Sequence, residues 1–264
     1  MFDSLYIGAT GMQAQQMNVD TIANNLANVN TTGFKKGRLT FSDLVTRSAA
    51  PLPSANGGMP TGLMDAAARV GGGVGIGGMS KLFDMGDLKK TESAFDVAIE
   101  GDGFLEVTMP DGSQAYARGG TLRVNKDGLL ATQAGYALKP GLNVPDNAQA
   151  LLIDPDGTVR VRLANQATPV NIGQIDLVRF SNPQALLAQG DNLYRPAEAA
   201  GDPVVGKPGE AGLGRLAQGF LEGSNVKLVD EMVNLMIAQR AYEASVKVVQ
   251  ASDEMLGMVN ALRR

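Results

Sequence analysis

The chain has 264 residues, 44% of them hydrophobic and 19% charged, with a formal net charge of −4. That is enough apolar material for a buried core, and the acidic balance argues against a nucleic-acid binder, which is usually basic. There is no Cys and no His, which removes thiolate and imidazole metal sites, Cys nucleophiles and every triad built on a His base.

The first residues, MFDSLYIGATGM, lack the basic start and long apolar run of a cleaved secretory signal, and no stretch reaches the roughly 18 apolar residues of a transmembrane helix. Neither membrane insertion nor a cleaved signal is expected. A helical period then runs over about residues 3 to 28. Leu5, Met12, Val19 and Leu26 recur every seven residues, with Gly8, Gln15 and Ile22 on the alternate positions, a narrow stripe of coiled-coil type. Gly8 and Gly11 each cost about 1 kcal/mol relative to Ala inside a helix, a cost explained by close approach of a neighbouring backbone or by a weak first turn. Asp3 or Ser4 can cap the start, and Gly33 can supply the left-handed residue that ends the helix.

Residues 34–80 form an extended Gly/Pro-rich connecting segment, with SAAPLPSANGGMPTG in its middle and GGGVGIGG at its end. A loop over about 46–65 is long enough to reach neighbouring molecules and brace them. Within this segment Lys35, Lys36 and Arg38 read as a solvated basic turn. Gly73-Val74-Gly75-Ile76-Gly77-Gly78 has dinucleotide-turn spacing but lacks the flanking strand and helix that the chemistry needs.

From 81 to 204 the runs FDVAIEG, GFLEVTM, TLRVNKDG, LLATQAGYAL, TVRVRL and GQIDLVRF read as short strands. Asp111-Gly112, Asp127-Gly128 and Asp156-Gly157 supply turns. Asp154-Pro155-Asp156-Gly157 resembles the opening of a calcium loop but lacks its later oxygen ligands, so it reads as a β-turn. Helical pattern is nearly absent here, and a single antiparallel β domain is expected. Residues 205–223 read as a return linker.

Ser224 or Asn225 then caps a last helix of about 38 residues, about 57 Å long at 1.5 Å per residue. One stripe includes Val233, Ile237, Val248, Met255 and Leu262, and a second includes Leu228, Met232, Leu235 and Tyr242. Two stripes on one helix require two sets of neighbours. The first helix can cover one, so other subunits must cover the rest. The residues expected at subunit interfaces are Leu5, Met12, Val19, Ile22, Leu26, Val233, Ile237, Tyr242, Val248, Met255 and Leu262. No catalytic, cofactor-binding or metal residues stand out, and the chain does not read as an enzyme.

Four segments carry a family resemblance. They are Ala23-Asn24-Asn25-Leu26-Ala27-Asn28-Val29-Asn30-Thr31-Thr32-Gly33-Phe34-Lys35, then Asp96 to Phe104, then Tyr116-Ala117-Arg118-Gly119 through Gly135-Tyr136, and last Gly223-Ser224-Asn225-Val226 through Glu243. Together they resemble the flagellar basal-body rod and hook family, with Asn24, Asn25, Leu26, Ala27, Asn28, Gly33 and Phe34 as signature residues. The resemblance implies an α+β fold. Terminal helices (1–33 and 224–264) would pair as a coiled-coil-like core domain, and an inserted antiparallel all-β domain would be joined to it by extended linkers. It implies a rod subunit of the basal body that polymerises with itself, spans the periplasm and is exported by the flagellar type III apparatus. The implied partners are a proximal rod protein, the hook protein or its adaptor, and the surrounding P- and L-ring proteins. No cofactor is implied.

Overall fold

The computed structural model describes residues 2–47, 69–164 and 168–262. The chain divides into a helical unit, Met1–Leu26, Gly37–Met79 and Leu228–Arg264, and a β unit, Ala27–Lys36 and Ser80–Lys227. The expected 46–65 loop lies, apart from Thr46 and Arg47, outside the described residues, as does the side chain of Leu262.

Helix α1 is Phe2–Ala27 and α2 is Leu228–Leu262; between them come β1 Gly37–Arg47 and β2 Arg69–Lys81. The next strands are β3 Leu88–Lys90, β4 Asp96–Glu100, β5 Phe104–Thr108, β6 Gln114–Ala117, β7 Gly119–Val124, β8 Leu130–Thr132 and β9 Ala137–Leu138. They are followed by β10 Ala148–Ile153, β11 Thr158–Leu163, β12 Val170–Gln174, β13 Leu177–Arg179, β14 Leu186–Gly190 and β15 Leu193–Pro196. The set closes with β16 Val204–Gly206, β17 Arg215–Gln218 and β18 Phe220–Glu222. The fold is α+β, with terminal helices and a large antiparallel sheet.

In the helical unit α1 and α2 run antiparallel. Ser4 meets Ser252 through hydroxyls 3.3 Å apart, and Asn25 meets the Glu231 carboxylate at 3.2 Å. A Cβ added to Gly8 would lie 2.6 Å from Val249 Cγ2, and one on Gly11 would lie 3.4 Å from Ser245 Oγ. Gly8 therefore serves close helix approach, whereas Gly11 faces α2 at ordinary contact distance. Strands β1 and β2 form a two-stranded ribbon. Residues 71–78 thus lie in a strand, not in a phosphate-binding turn, and Gly73, at φ +102°, fits against Thr10 and the Ile7 backbone.

In the β unit, β14-β15-β6-β5-β9-β8-β7-β4-β17 form one path, with β13 pairing β5 on a branch and β16 pairing β13. A three-stranded sheet, β10-β11-β12, and the pair β18-β3 complete it. The main core gathers Val97, Ile99, Leu105, Val107, Leu130, Val159, Val161 and Ile175. A second core joins Phe104, Tyr116, Val178, Phe180 and Tyr194, packed edge-to-face, with Tyr116 and Phe180 rings 4.8 Å apart at 87°. The three Asp-Gly turns have positive φ at Gly112, Gly128 and Gly157.

Three local expectations are corrected. Residues 205–223 are not a plain linker, because β17 pairs β4 and β18 pairs β3. α1 ends at Ala27, so Gly33 takes its positive φ of 70° in the turn that follows rather than as a helix cap. α2 begins at Leu228, and Asn225 is committed elsewhere.

Candidate assembly surfaces and the buried ion cluster

The helical unit turns its polar side inward. Glu231, Ala238, Ser245 and Ser252 repeat every seven residues on α2, and all but Ser245, which is half-buried, are fully buried. On α1, Gly8, Ala14, Ile22 and Asn25 are buried. The internal seam is therefore made mainly of small and polar side chains. The apolar residues of α2 lie away from it: Leu228, Val229, Met232, Val233, Met236 and Ile237 occupy the first three turns and are exposed, Val229 at 71% and Ile237 at 62%. At 3.6 residues per turn they form one continuous surface.

The predicted interface residues divide accordingly. Val233, Ile237, Tyr242, Val248 and Met255 are exposed on α2, whereas Leu5, Met12, Val19 and Leu26 are half-buried on α1. Ile22 is only 5% exposed and belongs to the chain's own seam. The sequence reading followed the large apolar side chains and passed over the seam itself. Its signal was present in the strict seven-residue repeat of Glu231, Ala238, Ser245 and Ser252.

The signature residues have local structural roles. Asn25 is 2% exposed, and its side chain both accepts from Gly37 N–H at 2.8 Å and donates to Gly37 O at 2.9 Å, pairing with that residue as a strand would. Asn28 Oδ1 accepts from the Thr31 hydroxyl at 3.1 Å, and Gly33 N–H donates to Glu222 O at 2.8 Å. Phe34 is buried beneath the Lys81 ammonium, 4.3 Å from the ring centroid. Asn24 and Ala27 are exposed.

Lys35 overturns the solvated-turn reading, because it is fully buried in the β unit. Its ammonium donates to Glu222 Oε1 and to Asp84 O, each at 2.7 Å. Glu222 also accepts from Arg118 Nε at 3.3 Å and from Gly86 N–H at 2.9 Å. Arg118 in turn donates to Gly103 O at 2.7 Å and Gly101 O at 2.9 Å. Burial, then the Arg118 charge, push the Lys35 pKa down, while Glu222 opposes the shift. Three distant segments, at Lys35, Gly86 and Arg118, thus close on one carboxylate. Asn225 completes the arrangement, accepting from Lys36 N–H at 2.7 Å and donating to Leu82 O at 2.9 Å. Tyr194 and Tyr116, nearby in the second core, are pushed above the ordinary phenol value by burial.

Among the described residues no group of carboxylates could hold a metal ion, and no described helix is long and apolar enough to cross a membrane. The described residues thus present a buried ion cluster inside the β unit and an exposed apolar face on α2.

Comparison with known proteins agrees. Residues 5–35 match the family described as flagella basal body rod protein, 98–161 the flagellar hook protein FlgE/F/G D1 domain, and 217–262 the flagellar basal body rod FlgEFG protein C-terminal. The chain is 43% identical over 268 residues to the flagellar basal-body rod protein FlgG of Borreliella burgdorferi, covering 100% of both. It is 37% identical to FlgG of Bacillus subtilis, again over 100% of both, and 33% identical to FlgF of Caulobacter vibrioides over 97% of this chain and 95% of that one. The chain belongs to the flagellar basal-body rod protein family and is a structural subunit of the rod.

Proposed function

We propose that the chain polymerises through its terminal helices, paired as a coiled coil and packed against those of other copies, into the distal part of the rod. In this reading the polymer passes torque from the motor to the hook and encloses the export channel. Its partners are further copies of itself, a proximal rod protein, the hook protein or its adaptor, and the surrounding P- and L-ring proteins. It reaches the periplasm through the flagellar type III apparatus, and its role is structural rather than catalytic.

The observation that carries this reading is the exposed face Leu228–Ile237 on α2. Burying such a side chain contributes about 1.5–3 kcal/mol, and within the chain these gain little of it. A head-to-tail contact that does not close on itself yields an open helical polymer. The similarity to FlgG of several bacteria supports a distal position. Ile237→Asp places an unpaired carboxylate on this face at every subunit. The variant is expected to be made and exported, to keep its β unit folded, and to form no rod. Normal motility and normal basal bodies in its presence would refute the assignment.

A further inference from the structure

Within the β unit, six strands run β14-β15-β6-β5-β13-β16, and each neighbouring pair is antiparallel. The second aromatic core lies among them. Both ends are open: among the described residues β14 pairs only with β15, and β16 only with β13. The large outward residues are apolar, with Leu187 56% exposed, Val204 52% and Val205 55%. Native edges are usually blunted by charge, Pro or a covering element. Neither Leu186-Leu187-Ala188-Gln189-Gly190 nor Val204-Val205-Gly206 itself contains a charge or a Pro; the blunting devices are the register shift between Ala188 and Gly190 and, beside the three-residue β16, Pro203 and Lys207-Pro208 at its ends. The opposite end of the main sheet differs, since β17 carries Arg215 there.

We propose that these two edges are complementary halves of a second contact between copies of this chain, in which β16 of one adds to β14 of the next. The strand count selects the occupant. With six strands alternating in direction, β14 and β16 are antiparallel to each other. A copy displaced across the strands, without being inverted, brings its β16 against β14 in the antiparallel sense, and the sheet continues from chain to chain. Each edge then gains a ladder of backbone hydrogen bonds and covers its exposed Leu or Val side chains. Because two different edges meet, the contact is head-to-tail and open-ended, the symmetry a rod requires. This inference rests on the reading of the chain as a rod polymer, but it uses a surface separate from the helix face.

The absence of Cys gives a direct test. Leu187→Cys is prepared in one sample, and Val204→Cys or Val205→Cys in another. The two are mixed, assembled, and either oxidised or treated with a short bismaleimide that also reaches the neighbouring registers. Directly opposed residues of an antiparallel pair fall within disulfide reach. A cross-link joining the two different variants, formed on assembly and absent from dilute monomer, is the expected result. Val205→Lys is expected to slow polymer growth about tenfold while the melting of the β unit stays at the parental value. Polymers that form without that cross-link, or that grow at the parental rate with Val205→Lys, overturn the edge contact. Ile237→Asp is assembled alongside. If it polymerises normally, the helix-face reading fails, whereas its failure to polymerise together with an absent cross-link leaves the rod reading standing and removes only this inference.

Discussion

The two units spend their apolar residues in opposite ways. The β unit buries Val97, Ile99, Leu105, Val107 and many others, and even its Lys35, Arg118 and Glu222 are inside. The helical unit fully buries only Ala14, Ile22, Leu39 and Ala238 of its described hydrophobic side chains, and presents Val229, Met236, Ile237 and Met258 to solvent. A unit that hides its hydrophobic residues can fold alone, whereas one that displays them draws stability from what it joins. The division of labour within one subunit, a self-sufficient body and helices awaiting partners, follows from where the large side chains point.

The strongest way to break the contrast is at the ion cluster. Lys35 and Arg118 bring two cations to one carboxylate, with the exposed Asp84 side chain nearby. Removing the negative charge and removing one positive charge should therefore differ sharply. Glu222→Gln leaves two buried cations with only carbonyls and the exposed Asp84 carboxylate to face, and should cost about 3–5 kcal/mol. Lys35→Met leaves the Arg118–Glu222 pair intact, and should cost about 1.5 kcal/mol or less, in the range of a tolerated core swap. Thermal melting of the β unit measures both. Equal losses would mean that the cluster is held by packing rather than by charge.

Hydrogen exchange on the dilute, unassembled chain sharpens the same comparison. Amides of β4 and β5 should be protected at least about a hundred-fold more than those of α1 and α2, because the helical unit has few buried apolar contacts to resist local opening. Equal protection would show that the helices are stabilised within a single chain after all.

What the sequence made legible was largely local. Helical periods located α1 and α2, alternation and Asp-Gly pairs located β4, β5, β7, β8, β9, β11 and β13, and the run Ala23–Lys35 marked the family. What escaped depends on residues far apart. Lys35 finds Glu222 only after the chain has passed through the whole sheet, so a basic triplet in a Gly-rich stretch reads as solvated. The strands β17 and β18 sit among Gly and Pro, and their partners β4 and β3 lie far upstream. The ribbon strand β2 reads only as part of an extended connecting segment because glycine disfavours strands, yet Gly73 is needed where backbone passes over Thr10 and Ile7. The helix seam was hidden by its own chemistry, since hydrophobic periodicity does not register Gly, Ser and Ala as a face.

The alkaline limb of stability offers a finer test. Lys35 has its pKa lowered from 10.5 by burial first and by Arg118 second. Between that lowered value and 10.5 the unfolded chain binds more protons than the folded one, so the contribution of this group to stability rises with pH. It is complete above 10.5 and is lost as pH falls through the folded value. The difference in stability between parent and Lys35→Met should therefore shift in favour of the parent as pH rises through this window. Taking the difference cancels the similar downward shift at Lys81, also caused by burial. A pH-independent difference would show that Lys35 titrates normally and is open to water.

The smallest expected effect lies at Gly8, where two terms of similar size oppose. Replacing Gly by Ala inside a helix gains about 1 kcal/mol of propensity. Against this, the new Cβ would stand 2.6 Å from Val249 Cγ2 and 3.8 Å from Ser245 O. A β-branched side chain has little freedom to rotate away, so α1 and α2 must move apart by a few tenths of an ångström or Val249 must leave its rotamer, which costs about 0.5–1.5 kcal/mol. The net change for Gly8→Ala alone should be within about 1 kcal/mol of zero. The informative measurement is the cycle with Val249→Ala, which removes the obstructing methyl groups. Gly8→Ala should be more favourable in the Val249→Ala background than in the parent, giving a coupling of about 0.5–1.5 kcal/mol in unfolding of the helical unit. Additive changes would mean that α1 and α2 do not meet at this point, and Gly8 would then be no more than a weak turn of helix.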